Sequence, residues 1–174
     1  MKKIAFAMIG LILIIGVGCS KNDGENSEAT DIKALVHDYS VGSITNETAS
    51  ITSHELIVTK SNGSQKTYDL PKDDFFVSIA PFIKETHPCA IHSLTGCQGE
   101  LANKEFDIYI EDSEGNVVVD KTMKSFDNGF IDLWVPRDNT YNIKIEYDGK
   151  VVQSTFSSFE NDNTCITTMQ LGEV

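Results

Sequence analysis

Tyr141-Asn142-Ile143-Lys144-Ile145-Glu146-Tyr147-Asp148-Gly149-Lys150-Val151-Val152-Gln153-Ser154-Thr155-Phe156 is the stretch that decides the fold. Tyr141, Ile143, Ile145 and Tyr147 fall on every second position, so one face of an extended strand is apolar and the other polar. Asp148-Gly149 is a tight-turn signal, and Val151–Phe156 reads as the returning strand. Working outward, the same signature recurs. Leu56-Ile57-Val58 and Thr67–Leu70 flank Ser61-Asn62-Gly63-Ser64, a second hairpin signal. Phe106–Ile110 and Val117–Val119 are joined across Ser113–Asn116. Phe130–Val135 stops at Pro136, and Phe75 to Ile83 is apolar enough for a buried strand ending near Pro81. Cys165–Leu171 reads as a last strand. Short strands with turns at regular intervals predict a mainly β chain, with an antiparallel sandwich or barrel-like C-terminal domain. Ile32, Leu35, Val36 and Tyr39 have helical spacing, so the part before it is a small α+β lobe.

The N-terminus reads as an export signal. Lys2 and Lys3 precede an apolar run from Ile4 to Val17, which is too short for a stable membrane span. Gly16-Val17-Gly18-Cys19 then points to a lipoprotein signal, with cleavage before Cys19 and lipid on that cysteine. Gly16 departs from the larger apolar residue usual there, and an ordinary signal peptide is the alternative. Residues 20–30 are polar and read as a tether. The expected organisation is a signal peptide over 1–18, a lipid-anchored tether over 19–30, a small lobe over 31–72 and a β-rich metal-binding domain over 73–174. The expected location is the outer face of the bacterial cytoplasmic membrane, with membrane contact through the lipid alone.

Without residues 1–18 the chain keeps 12 basic and 26 acidic residues, a formal charge of −14. Such a protein is repelled by nucleic acid and by anionic lipid, so neither is an expected partner. Cysteine arithmetic is more informative. With Cys19 lipidated, Cys89, Cys97 and Cys165 remain. An odd number leaves one thiol over in an oxidising compartment, and a leftover thiol points to metal binding, thiol exchange or pairing with another chain.

The chemistry concentrates in Thr86-His87-Pro88-Cys89-Ala90-Ile91-His92-Ser93-Leu94-Thr95-Gly96-Cys97-Gln98-Gly99-Glu100-Leu101. Two of the four histidines and two of the three remaining cysteines lie within 11 positions there. Thiolates and imidazoles suit soft or borderline metals, Cu(I) or Zn(II), and the hard ions Mg(II) and Ca(II) prefer oxygen. The spacing Cys-x2-His-x4-Cys is neither a zinc-ribbon knuckle nor the CxxC of thioredoxin-like enzymes. Cys89 and Cys97 as a plain structural disulfide is the competing reading, and it leaves Cys165 unexplained. On a strand, Met169 shares a face with Cys165, as a soft ligand or as core filling. His37 and His54 read as structural or surface residues.

His87–Leu101 closely resembles the signature of the CueP family of copper-binding extracytoplasmic proteins. Ser78–Phe82, Asn128-Gly129-Phe130, Leu133–Asp138 and Thr164–Leu171 resemble further blocks of that family, in its order, and the match covers roughly residues 55 to 171. The resemblance implies a role in copper resistance or trafficking, with Cys89, Cys97 and Cys165 as the functional cysteines and His87 and His92 in the same site. It also implies a mostly β C-terminal domain and an N-terminal part used for homodimerisation. The expected chemistry is Cu(I) binding, with reduction of Cu(II) by two cysteines, which makes Cys89, Cys97 and Cys165 redox residues as well as ligands. Zinc is the alternative metal, and a copper-accepting protein is an expected partner beside copper ions. A thiol–disulfide oxidoreductase and a structural lipoprotein with one disulfide are the competing functions.

Overall fold

The structure is a computed structural model and describes residues 31–173. The expected signal peptide, the lipidated Cys19 and the tether lie outside the described residues. The chain opens with helix α1 (Ile32–Ser40), and Asp31 caps it by accepting from the Lys33 and Ala34 amides. Then come β1 (Glu47–Ile51), β2 (Glu55–Lys60), β3 (Gln65–Asp69) and β4 (Asp74–Ile79). The two-residue β5 (His92–Ser93) lies inside the Cys/His segment. The remainder is β6 (Glu105–Asp112), β7 (Val117–Lys124), β8 (Ile131–Pro136), β9 (Thr140–Tyr147), β10 (Lys150–Ser157), β11 (Cys165–Ile166) and β12 (Gly172–Glu173).

Three sheets result. The five-stranded sheet runs β12-β10-β9-β6-β7, the three-stranded sheet β11-β4-β8, and the four-stranded sheet β3-β2-β1-β5. The first two pack face to face. Phe106, Ile108 and Ile110 of β6 and Tyr141, Ile143 and Ile145 of β9 meet Phe75, Val77 and Ile79 of β4 and Ile131, Leu133 and Val135 of β8. This is the expected β-sandwich; its sheets stay open at their edges and do not close into a barrel. The Tyr141–Phe156 hairpin forms as the alternation requires, with Tyr147 paired to Lys150 and Tyr141 to Phe156.

The three-stranded sheet is covered on both faces, which is why β4 reads as a continuous apolar run. Phe76 and Trp134 point away from the sandwich and pack with Val36 and Tyr39 of α1, Ile51 of β1, and Leu56 and Val58 of β2. Asp132 shares that face, where it accepts from Ser40 and Ser78 at 2.5 Å each. Burial pushes its carboxyl above the usual range, against the pull of the two hydroxyls.

One strand differs from expectation. Cys165–Leu171 is not a continuous strand. β11 holds two residues parallel to Ser78 and Ile79, a lone bridge joins Gln170 to Phe82, and the chain between them leaves the ladder.

Candidate metal centre

The segment from Phe82 to Leu101 connects β4 to β6 and is fixed along its length. Glu100 closes its base: one carboxylate oxygen accepts from the amides of Ile83, Lys84 and Glu85 at 2.6, 2.9 and 3.3 Å. Burial alone would raise that carboxyl; the three donors outweigh it and hold it low. Thr86 donates to the Thr167 carbonyl at 2.7 Å. The Gly96 and Cys97 amides both turn back onto the Ser93 carbonyl. Beyond Cys97, Gly99 lies directly on Gly129, whose φ is +78°. A Cβ on Gly129 would meet the Gly99 carbonyl oxygen at 2.5 Å, so only glycine permits this contact.

Cys89, His92, Cys97 and Cys165 converge. One ligand atom from each lies within 4.8 Å of all the others. The Cys89 and Cys97 sulfurs are 3.6 Å apart. Metal–sulfur bonds of about 2.3 Å place sulfurs roughly 3.8–4.0 Å apart in tetrahedral or trigonal sites, so the thiols already stand near ligand spacing. Four segments supply the cluster: the turn after Pro88, β5, the Ser93–Cys97 turn and β11. Phe130 walls it, its ring centroid 4.5 Å from that of His92, and with Ala80 it forms a small core around the three cysteines.

Cys89, Cys165 and His92 are all held in their uncharged forms at neutral pH. Burial pushes the Cys165 thiol far up, and the neighbouring thiols add to it. Cys89 is raised by burial, with Cys165 pulling back and Cys97 adding. Burial, and then repulsion from His87, lowers His92 to about 4. The imidazole is therefore neutral with a free lone pair at neutral pH. His92 is fully buried, and neither ring nitrogen has a hydrogen-bond partner among the described residues. Such an orphaned ring costs free energy in a protein interior and suits a metal that accepts its lone pair. Bound metal must displace thiol protons, so loading is coupled to proton release.

A cleft of about 310 Å³ is lined by Cys89 and Cys165, with Thr155, Asn161, Asp162 and Thr168 among others. A larger cavity of about 560 Å³ lies between the end of α1 and the back of the loop and is not lined by Cys89, Cys97 or Cys165. The two cysteines in its lining make the smaller cleft the chemically relevant one.

Of the five expected ligands, the structure brings four together. His87 stands apart from the cluster: it is half-buried, edge-on to Phe130 with ring centroids 6.5 Å apart. His37 lies edge-on to Phe126, and His54 accepts or donates at Ser53. Met169 packs in the sandwich core, the core-filling reading of its thioether. Sequence reasoning missed Thr164, whose hydroxyl bonds both Ile51 and His92, and the role of Phe130; neither residue type carries a metal signal in a sequence.

The family model described as "Periplasmic copper-binding protein CueP" matches residues 32–170. A solved structure titled "Crystal Structure of S.CueP" is similar at 35% identity, covering 83% of this chain and 90% of that one, with a TM-score of 0.78. No curated protein matches the chain.

Proposed function

This chain belongs to the CueP family of periplasmic copper-binding proteins, and on that premise we propose that it takes up copper outside the cytoplasm as Cu(I), on Cys89, Cys97, Cys165 and His92, and reduces Cu(II) with two of those thiols. The observation that carries this reading is the convergence of three sulfurs and a buried, unpartnered imidazole within 4.8 Å. Three soft donors and one borderline donor favour Cu(I), with zinc the competing ion. His87 lies outside the cluster.

Reduction balances as follows. Cys89 and Cys97 lose one electron each to two Cu(II) ions, their S–H bonds give up two protons, and one S–S bond forms. Cys89 and Cys97 are the pair because both are half-exposed and already 3.6 Å apart, whereas Cys165 is buried. Of the two Cu(I) ions formed, one is held by the remaining Cys165 and His92 and the other is released. The same reading includes copper resistance or trafficking as the role, a lipid anchor at Cys19, assembly through the N-terminal lobe, and hand-over to a copper-accepting protein.

The test adds Cu(II) to reduced, soluble protein (residues 20–174) without oxygen, then reads Cu(I) with a chromogenic chelator and counts free thiols. Appearance of Cu(I) with loss of about two thiols per chain is expected. Cu(II) unchanged with all three thiols intact removes the reductase part and leaves passive binding. A disulfide exchanger would instead reduce insulin rapidly.

A further inference from the structure

The imidazole of His92 lacks what usually aims a metal-binding histidine. In most such sites the ring nitrogen away from the metal donates to a carboxylate, a carbonyl or water, and that bond fixes the ring. Here neither ring nitrogen has a partner among the described residues. The aim must come from packing against Phe130 and Phe76 and from the placement of the backbone.

That backbone has a side-chain tie. The His92 amide donates to the Thr164 hydroxyl at 3.1 Å, and the hydroxyl donates to the Ile51 carbonyl at 2.6 Å. Thr164 is 1% exposed. It directly precedes Cys165, whose amide donates to the Ala90 carbonyl at 3.1 Å. Ala90–His92 and Thr164–Cys165 thus run side by side, tied by one main-chain bond and one side-chain bond. Ile51 is also the register partner of His92 across β1 and β5. A hydroxyl has a single proton, so donation to Ile51 leaves only its lone pairs to face His92, and the direction of both bonds is fixed.

We propose that Thr164 is a positioning residue of the metal centre: its hydroxyl sets the His92 backbone, and through it the imidazole, against the three thiols. This rests on His92 being a ligand, as in the function proposed above. The competing account is that Thr164 only fastens β1 to the loop and would matter equally with any residue at position 92.

The test measures Cu(I) affinity by competition with a chromogenic chelator, and the copper coordination shell by X-ray absorption, on the full chain. The variants are Thr164→Val, Thr164→Ser, His92→Phe and the Val/Phe double variant. Thr164→Val should weaken binding about tenfold, the scale typical of groups that orient a ligand, and diminish the nitrogen contribution to the shell. Thr164→Ser, which keeps the hydroxyl, should stay within about threefold of wild type. In the His92→Phe background Thr164→Val should cost nothing further.

Wild-type affinity and an unchanged nitrogen contribution in Thr164→Val would overturn the proposal. So would an equal loss with and without His92, the mark of a general structural role. If His92→Phe alone binds as wild type, the ligand assignment fails first and takes this inference with it. Should Thr164→Val not fold, hydrogen exchange on the unmodified chain decides. The His92 amide should exchange more slowly with Cu(I) bound, and equal rates would overturn the proposal.

Discussion

The sandwich core and the thiol pocket meet where β4 ends and β8 begins, and they obey opposite rules. The core is sixteen buried residues drawn from both sheets, almost all aliphatic or aromatic. Where a polar group enters it, as with the Tyr141 hydroxyl, it finds a partner, here the Pro136 carbonyl at 2.7 Å. The pocket is small: Ala80, Phe130 and the cysteines. Among the described residues, the buried side-chain atoms without a partner are His92 Nδ1 and Nε2, in the cluster, and Asn128 Nδ2. A fold that satisfies its polar groups elsewhere leaves these open where a ligand would complete them. Stability is concentrated in one region and binding capacity in the other.

Substitutions that injure one region and spare the other sharpen this comparison. The largest expected effect is on the core. Phe75→Ala should cost about 3–5 kcal/mol of stability in urea melts, while the folded fraction binds copper with unchanged stoichiometry. Cys165→Ser should do the reverse. Cu(I) affinity should fall by more than about 100-fold, beyond what loss of an orienting group costs, and the apo melt should move little.

The acid limb breaks the symmetry, because the burial of His92 makes stability depend on pH. Its folded pKa is about 4, against about 6.5 when unfolded. Between those values the unfolded chain binds more protons, so stability is full above pH ~6.5 and lost as pH falls toward 4, by up to about 3 kcal/mol. Urea melts of metal-free protein from pH 7.5 to 4 should show this slope, and His92→Phe should flatten it.

Gly129→Ala is the substitution that should injure both regions. Its φ of +78° and its contact with Gly99 are incompatible with a Cβ. About 2 kcal/mol of stability should go, and copper affinity with it, because Gly99 follows Cys97 closely. The smallest effect concerns Asp132, whose raised carboxyl binds a proton more readily folded than unfolded. It favours the fold at low pH and loses that contribution as pH rises, opposing His92. Asp132→Asn should therefore steepen the acid loss slightly.

Much of this was readable in the sequence. Alternation at Tyr141–Tyr147 and the Asp148-Gly149 turn gave the hairpin outright, because a period of two has one structural solution when one face is buried. The odd cysteine count marked one thiol as left over, and the family resemblance grouped Cys165 with Cys89 and Cys97. The rest depended on partners distant in the chain. Cys165–Leu171 has the composition of a strand, yet its neighbour is β4 in a parallel arrangement, and only two residues stay in register. β5 pairs with β1 through two residues that look like loop from the inside. His87 and His92 are equivalent in composition and differ by burial alone, which the sequence around them does not encode. Thr164 is one of many threonines until Ile51 and His92 close on it.

That last closure has a consequence for the order of events after export. Ile51 and Thr164 are 113 residues apart, and His92 and Thr164 are 72 apart. Contacts of such separation form late, after the entropy of closing large loops has been offset by the rest of the fold. Until those loops close, the three thiols are not held against one another. In an oxidising compartment that interval is when mispaired disulfides form, and a copper ion present early would select the correct arrangement by gathering the sulfurs before they react.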